Sequence, residues 1–169
     1  MGEGMKKIYC PLCGAKLEPI QRGGRERGLC PRCRILYYDN PLPATAAVVM
    51  DQEGRLLLVK RAKEPAAGRW SLPGGFIEGE ESPVEGVKRE LQEETGLLGE
   101  VKGLIGVFHD QSPLYGPLVI IGYGLELVGG ELRPGDDAEE AAFFSLEDMP
   151  EIAFKSHKEL AEEARRRWR

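Results

Sequence analysis

The chain has 169 residues, the length of one ordinary domain or of one domain with a small module attached. Its 41% hydrophobic and 30% charged residues are typical of a soluble globular protein, and no apolar run is long enough to cross a membrane. Residues 1–7 contain lysines with no apolar stretch behind them, so we predict no secretory signal and expect a cytoplasmic protein.

The net charge of −5 is distributed unevenly along the chain. Residues 1–38 carry eight lysines and arginines against three glutamates, so a basic segment precedes an acidic one. Such a segment can contact nucleic acid, but it can also dock on its own acidic neighbour or steer an anionic ligand toward it. We favour the second interpretation, and nucleic acid is therefore not an expected partner.

Two Cys-x-x-Cys pairs, separated by sixteen residues, occupy the basic segment at Cys10, Cys13, Cys30 and Cys33. This spacing is typical of tetrahedral zinc sites, with Lys16–Leu29 as the hairpin between them. Disulfides or redox thiols are the alternative, and a cytoplasmic location disfavours structural disulfides. Four thiolates leave no open coordination position, so we predict structural Zn²⁺. The predicted domains are a four-cysteine zinc ribbon over residues 1–38 and a second domain over 39–169.

The second domain begins with several predicted strands after a stiff connector at Asn40–Pro43. Apolar runs at Ala44–Met50 and Arg55–Arg61 predict a hairpin of two buried strands around the turn Asp51–Gly54. Further strands are predicted at 101–108, 118–127 and 141–144, with a turn at Gly129–Gly130 and an acidic loop over 135–140.

Two helices are predicted from capping signals. Ser82, Pro83 and Glu85 form a capping-box start, Val84, Val87 and Leu91 make one apolar stripe, and Gly96 ends the helix. Ser156 and Glu159 repeat the capping pattern before a second stripe of Leu160, Ala164 and Trp168. Strands with two helices predict an α/β fold, in which helices cover both faces of a mixed sheet as an α/β/α sandwich.

The first predicted helix carries the residues of greatest chemical interest. Glu90, Glu93 and Glu94 lie at positions i, i+3 and i+4, so their carboxylates are expected on one face, opposite the apolar stripe. Like charges on one face repel, and a hard cation such as Mg²⁺ or Mn²⁺ relieves that repulsion. Arg89 is placed to pair with neighbouring carboxylates. A solvated acidic face is the alternative interpretation.

The wider pattern decides between these two interpretations. A glycine, five residues, a glutamate, seven residues, then Arg-Glu, an apolar residue, any residue, Glu-Glu, any residue, Gly and an apolar residue is the Nudix box. It is matched at Gly75, Glu81, Arg89, Glu90, Leu91, Glu93, Glu94, Gly96 and Leu97. Seven fixed identities coincide by chance on the order of 10⁻⁸ per start position. The chain therefore resembles Nudix hydrolases, whose fold is an α/β/α sandwich with a mixed sheet.

This resemblance implies metal-dependent hydrolysis of a nucleoside diphosphate linked to a second group. By motif position, Glu90, Glu93 and Glu94 would bind catalytic Mg²⁺ or Mn²⁺, and Arg89 would orient glutamates. Glu81 would sit at the edge of the site, and the Gly74 carbonyl would be a further ligand. Family members also use an acidic residue from a later loop. We favour Asp137 as a ligand, with Glu140 as its rival and a candidate general base.

The substrate is predicted from features outside the box. A zinc ribbon before such a domain resembles NADH pyrophosphatases, but their Ser-Gln-Pro-Trp motif is replaced here by Asp110–Leu114 in altered order and without tryptophan. Pro113 resembles the downstream proline of ADP-ribose pyrophosphatases. The same layout also resembles proteins that act on FAD. Our order of preference is ADP-ribose, split into AMP and ribose 5-phosphate, then FAD, then NADH.

Three further expectations concern ligand contacts and assembly. Candidate residues for substrate binding are Pro113, Tyr115, Phe108 and Phe154, although burial in the core is an alternative role for each aromatic ring. His109 and His157 are predicted at the surface or in loops. A non-catalytic module that binds nucleotide or nucleic acid is the rival class, but every box glutamate is present, which favours an enzyme. The resemblance is compatible with a homodimer.

Overall fold

A computed structural model describes residues 6–145 and 147–167. The strands and helices, in chain order, are β1 (Glu18–Arg22), β2 (Arg25–Leu29), β3 (Leu36–Tyr37), β4 (Leu42–Val49), β5 (Leu56–Arg61), β6 (Trp70–Ser71), α1 (Pro83–Thr95), β7 (Leu97–Ser112), β8 (Gly116–Gly130), β9 (Ala138–Phe144) and α2 (Lys155–Arg167). Neither helix is long and apolar enough to span a membrane over the residues described.

The first three strands form a small antiparallel sheet in the order β1-β2-β3. Gly23 and Gly24 both adopt positive φ, which lets the chain reverse tightly between β1 and β2. The hairpin predicted between the two cysteine pairs is thus confirmed. The division of the chain at residue 38 stays a prediction.

The remaining six strands form two three-stranded sheets. In the first, β8 pairs with β4 in parallel and with β7 in antiparallel orientation. In the second, β5 lies between β6 and β9, and both pairings are antiparallel. The segment after β6 then runs beside β4, where the Thr45 and Ala47 amides donate to the Gly75 and Pro73 carbonyls at 2.8 and 2.7 Å. This segment links the two sheets and positions the glycines of the site.

Alternate residues of the central strands face opposite helices, as the period of two in a strand requires. On β4, Ala46 and Val48 join the core beneath α2, which includes Leu160 and Ala164. Ala47 and Val49 join the core beneath α1, which includes Val87, Leu91 and Leu57 of β5. The predicted α/β architecture with helices on both faces is confirmed.

The predicted hairpin of β4 and β5 is wrong. Only the isolated bridge between Met50 and Leu56 joins them, because each strand finds its main partners in a different sheet. The predicted turn at Gly129–Gly130 is instead the end of β8, where Gly130 pairs with Leu97. The predicted acidic loop is already strand β9 from Ala138 onward. In all three places, hydrogen bonds to strands distant in the sequence determined the structure.

The helix starts were predicted with mixed success. At α1 the capping box of Ser82 and Glu85 is present, and Gly96 ends the helix in the left-handed conformation, as predicted. Val84 is 40% exposed, so its place in the buried stripe was wrong.

At α2 the helix begins at Lys155, and Ser156 is not its N-cap. The Ser156 N–H and hydroxyl both donate to Asp110, so a strand residue caps this helix. Leu160 and Ala164 are buried as predicted, and Trp168 lies outside the described residues.

Candidate active site

The last turn of α1 meets the Gly74–Gly75 backbone. The Glu94 side chain accepts a 2.9 Å hydrogen bond from the Gly74 N–H, and Glu94 is only 4% exposed. A Cβ on Gly74 would overlap the Thr45 carbonyl oxygen, and one on Gly75 would lie 2.6 Å from Glu90 Oε1. A side chain at position 74 would therefore push the loop away from β4, and one at position 75 would displace the Glu90 carboxylate.

Burial dominates the electrostatics of these carboxylates. It raises the pKa of Glu94 to about 8, against the opposing effect of the Gly74 N–H, and Glu90 raises it further. Burial also raises the pKa of Glu90, while Arg89 partly offsets this. Two neighbouring acidic groups with raised pKa values are typical of a functional site, since burying carboxylates costs stability.

Arg89 organises the carboxylates on the outer side of the helix. Its Nε and Nη2 bind the two oxygens of Glu81 at 3.0 and 2.7 Å. Its Nη1 donates to Glu90 at 2.8 Å and to Glu93 at 2.7 Å, and Nη2 also reaches the Phe76 carbonyl at 3.1 Å. The hydrogen bonds from Arg89 lower the pKa of Glu81. Arg89 therefore links three carboxylates, and its orienting role stays a prediction.

The structure does not bring all three box glutamates together. Glu93 is 45% exposed at its side chain and turns toward Arg89, whereas Glu94 points inward to Gly74. The expectation that the three share one face opposite the apolar stripe was therefore wrong for Glu94, which is buried. Because like charges repel, the Glu93 carboxylate binds Arg89 while the Glu94 carboxylate accepts the Gly74 N–H.

The loop before β9 brings two aspartates to the same place. The amides of Arg133 and Gly135 donate to the carbonyls of Thr95 and Glu94 at 2.9 and 3.1 Å, which fixes this loop against the end of α1. Asp136 and Asp137 then line the same cavity as Glu90 and Glu94. Asp137 pairs with Lys63.

Glu140 lies elsewhere. It is on β9, is 56% exposed at its side chain, and binds Lys60 at 2.7 Å. Glu139 and Glu140 are both exposed. Of the acidic candidates in this region, the structure places Asp137 and Asp136 in the cavity that Glu90 and Glu94 also line.

A cavity of about 300 Å³ adjoins the carboxylates. Its wall includes Phe76 and Tyr115, whose rings meet edge to face with centroids 5.0 Å apart, and also Phe154. Two predicted substrate residues, Tyr115 and Phe154, are therefore at the cavity. Phe108 packs in the core beneath α2, and neither it nor Pro113 is among the described residues that line the cavity.

Cationic groups also line the cavity. Arg61 donates from Nε to the Pro65 carbonyl at 2.8 Å, and its guanidinium lies 5.3 Å from the centre of the Phe154 ring. Lys63 stands beside Asp137. Sequence reasoning missed both residues, because an arginine and a lysine after an apolar strand resemble ordinary surface charges.

His157 was predicted at the surface, and this was wrong. It is buried on the inner face of α2, lines the cavity, and accepts the Leu72 N–H at Nδ1 over 3.2 Å. Burial lowers the pKa of His157 to about 4, so the ring is neutral and its proton lies on Nε2. A signal was present in the sequence, because Leu160 and Ala164 follow at the spacing of one helical face.

The four cysteines converge as predicted. Their sulfur atoms all lie within 4.8 Å of one another, and Cys10 and Cys30 are buried. Both knuckles have the same backbone geometry: the Gly14 and Arg34 amides each donate at 2.9 Å to the carbonyl of the cysteine four residues earlier. Neither pair is joined as a disulfide. Four sulfurs so arranged fit a tetrahedral soft-metal site.

Comparison with known proteins supports this description. The sequence model of the family described as NUDIX domain matches residues 40–165. An ADP-ribose pyrophosphatase from Methanocaldococcus jannaschii is 42% identical over 123 residues, 72% of each chain. A NAD-capped RNA hydrolase NudC from Chromobacterium violaceum is 33% identical over 141 residues, which are 82% of this chain and 51% of that protein. The chain thus spans about half the length of that relative.

Solved structures agree with the sequence comparisons. A NUDIX hydrolase from Nitrosomonas europaea superposes with a TM-score of 0.80 at 30% identity, covering 96% of this chain and 93% of that one. The NUDIX domain of Shewanella oneidensis NrtR, solved with ADP ribose, superposes with a TM-score of 0.67 at 27% identity, covering 83% and 94%.

Proposed function

The chain belongs to the Nudix family of hydrolases, and from this premise we propose that it hydrolyses the diphosphate bond of ADP-ribose to give AMP and ribose 5-phosphate. The observation that carries the proposal is one cavity lined both by the carboxylates of half-buried Glu90 and buried Glu94 and by the aromatic rings of Phe76 and Tyr115. Such a cavity suits a ligand with a diphosphate and an aromatic base. The 42% identical ADP-ribose pyrophosphatase supports this choice.

Divalent metal is required in this family, and the donor set fits a hard cation. The Glu94 carboxylate is buried with one backbone N–H as its hydrogen-bond donor, which leaves oxygen lone pairs for a cation. We assign Glu90, Glu94, the Gly74 carbonyl and Asp137 as ligands of Mg²⁺ or Mn²⁺, with Glu93 contributing from the exposed side. The cation would neutralise the diphosphate and lower the pKa of an attacking water.

The remaining residues bind and position the substrate. Arg89 holds Glu81, Glu90 and Glu93 in fixed geometry, so that carboxylates of the same charge stay close together. Arg61 and Lys63 line the cavity and offset the negative charge of the phosphates. Tyr115 and Phe76 offer their rings to the base, with Phe154 as a third aromatic contact.

The motif alone leaves the loop acid open, and geometry favours Asp137. It lines the cavity, whereas Glu140 binds Lys60 on β9. We therefore propose Asp137 as the additional acidic ligand. Glu140 as general base receives no support from its position.

A second candidate is hydrolysis of a dinucleotide such as NADH. It is favoured by the match to NAD-capped RNA hydrolases, which extends over 82% of this chain. FAD, the other alternative, has no specific observation in its favour. A non-catalytic module predicts binding of ADP-ribose without turnover. The expected homodimer stays a prediction that light scattering checks.

The test is a screen of the purified full-length protein with Mg²⁺ or Mn²⁺ against ADP-ribose, FAD and NADH, with products identified by chromatography. We expect AMP and ribose 5-phosphate from ADP-ribose, with the highest kcat/KM of the three and complete loss when metal is chelated. Faster release of AMP from NADH would transfer the assignment to the dinucleotide. Tight binding of ADP-ribose with no product would favour the non-catalytic module.

A further inference from the structure

One face of the small sheet β1-β2-β3 carries a distinctive set of side chains. Arg22 opposes Arg25 and Ile20 opposes Arg27, so the four side chains project from the same side of the sheet. Leu29 opposes Leu36, and Tyr38 lies two residues beyond Leu36, which puts Tyr38 on that side too. We name this set, formed by Ile20, Arg22, Arg25, Arg27 and Tyr38, the ribbon face.

The opposite side of the sheet packs inward. A Cβ on Gly28 would lie 2.9 Å from the Leu17 side chain, and Tyr37, which pairs with Gly28, binds the Cys10 sulfur at 3.2 Å. Leu17 in turn belongs to the cluster of buried cysteines. The ribbon face therefore points away from the cysteine core and has no structural role in closing it.

The ribbon face is charged and open. Arg22 and Arg25 are exposed, and Tyr38 is 48% exposed with the Arg27 guanidinium 4.9 Å above its ring. Among the ion pairs between described residues, none involves these three arginines. Docking of this segment on its acidic neighbour, one of the two roles that we favoured, would cover Arg22 and Arg25 with such contacts. Arg22 and Arg25 form no such ion pair with any residue in 6–145 or 147–167.

We infer that the ribbon face binds single-stranded nucleic acid. Arginines without carboxylate partners are available to phosphates, and binding would release the counterions of the polyanion. Tyr38, about half exposed beside the Arg27 guanidinium, offers a ring on which an unpaired base can stack. A base pair within a duplex does not expose such a stacking surface, which favours a single strand. The inference does not depend on the identity of the hydrolysed nucleotide.

A second copy of the chain fits the same face poorly. In a twofold dimer the same patch meets itself, so three arginines would face three arginines. The only acidic residue on this side of the two paired strands is Glu18, at the far end opposite Leu29. Charge complementarity therefore favours a polyanion over a homodimer contact.

The experiment measures fluorescence anisotropy of a labelled oligouridylate and a matched oligothymidylate with the full-length protein across a salt series. Substitution of Arg22, Arg25 and Arg27 together by Gln is expected to weaken binding at low salt by at least about 30-fold. It should also reduce the slope of log affinity against log salt by about 2, because each neutralised phosphate of a single strand contributes about 0.7 to that slope. Tyr38→Ala is expected to weaken binding by about tenfold at every salt concentration.

The matched control removes three positive charges elsewhere, by Lys88→Gln, Lys102→Gln and Arg166→Gln, and should change affinity less than about threefold, the effect of long-range charge alone. Melting temperature and zinc content report whether each variant folds, so the test does not rely on hydrolysis. Equal binding of the two oligonucleotides, or a preference for RNA, supports the inference and identifies the type of strand. Wild-type protein without affinity at low salt, unchanged binding by the triple-arginine variant, or dissociation of a dimer by that variant would overturn it.

Discussion

The Gly74 amide and the Glu94 carboxylate are joined by a 2.9 Å hydrogen bond, although twenty residues separate them in the chain. This bond ties the loop after β6 to the last turn of α1. It brings a backbone segment without side chains against a buried acid.

Replacing Gly74 with Ala should disrupt this contact. The added Cβ would overlap the Thr45 carbonyl, so the loop must move, and overpacking of this kind costs about 1–3 kcal/mol. Urea unfolding should show that loss, with hydrolysis reduced at least about tenfold as Glu94 loses its partner. Gly79→Ala is the control, because a Cβ there meets nothing within 4 Å. Equal stability of both variants would contradict the close approach.

Glu94→Gln should nearly abolish turnover while leaving the fold intact. The amide keeps the shape and still accepts from Gly74, but it removes the charge that burial opposes, so the melting temperature should stay the same or rise. We expect kcat/KM for ADP-ribose to fall at least about a hundredfold. Glu93→Gln, the same change at an exposed carboxylate, should have a smaller effect. A Glu94→Gln enzyme that keeps most of its activity would refute the ligand assignment.

Asp137→Asn and Glu140→Gln should separate the two candidate loop acids. Asp137 lines the cavity beside Glu90 and Glu94, so its loss should raise the metal concentration needed for half-maximal activity by about 10–100-fold. Glu140 binds Lys60 at an exposed position, and Glu140→Gln should leave the metal requirement unchanged. Metal titrations of the initial rate provide the measurement. The reverse pattern would return the role to Glu140.

His157 should make the protein less stable in mild acid. The pKa of His157 is 6.5 when the ring is exposed and about 4 in the folded chain, mainly because the ring is buried. Asp110 raises this pKa and Arg61 lowers it. Between pH 6.5 and about 4, His157 therefore binds a proton in the unfolded chain but stays neutral in the folded chain. Stability should fall as pH drops from 6.5 toward 4, by up to about 3 kcal/mol at about 1.4 kcal/mol per pKa unit.

Urea unfolding between these pH values checks the prediction. His157→Asn preserves an acceptor for the Leu72 N–H and removes the titration, so its stability should depend less on pH. His109→Asn replaces the only other histidine, which is exposed, and should keep the wild-type dependence. Identical pH profiles for the two variants would show that another group is responsible.

Zinc should co-purify at about one equivalent per chain. The four sulfurs are mutually close, and Cys30 is fully buried, so Cys30→Ser should abolish zinc binding and unfold residues around the β1-β2-β3 sheet. Elemental analysis and hydrogen exchange provide the measurements. Tyr37→Phe removes only the hydroxyl that binds the Cys10 sulfur and should retain zinc with about 10–100-fold weaker affinity. Reduced wild-type protein without zinc would exclude the site.

The sequence by itself determined the features that depend on spacing along one element. The capping box at Ser82, the glycine that ends α1, the two cysteine knuckles and the Nudix box are local patterns, since their residues lie within one turn, helix or hairpin. For the same reason the family, the ribbon hairpin and the burial of the apolar run in β4 could be predicted. Backbone geometry converts such spacing directly into position.

Only the tertiary structure decided which distant groups meet. The parallel pairing of β4 with β8 replaced the expected hairpin, and the loop packed on the end of α1 brought Asp137, and not Glu140, into the cavity with Glu90 and Glu94. The burial of His157 and the division of the box glutamates between Arg89 and Gly74 followed from the same packing. These outcomes depend on contacts between residues far apart in the chain, where desolvation and competition for hydrogen-bond donors outweigh local preference.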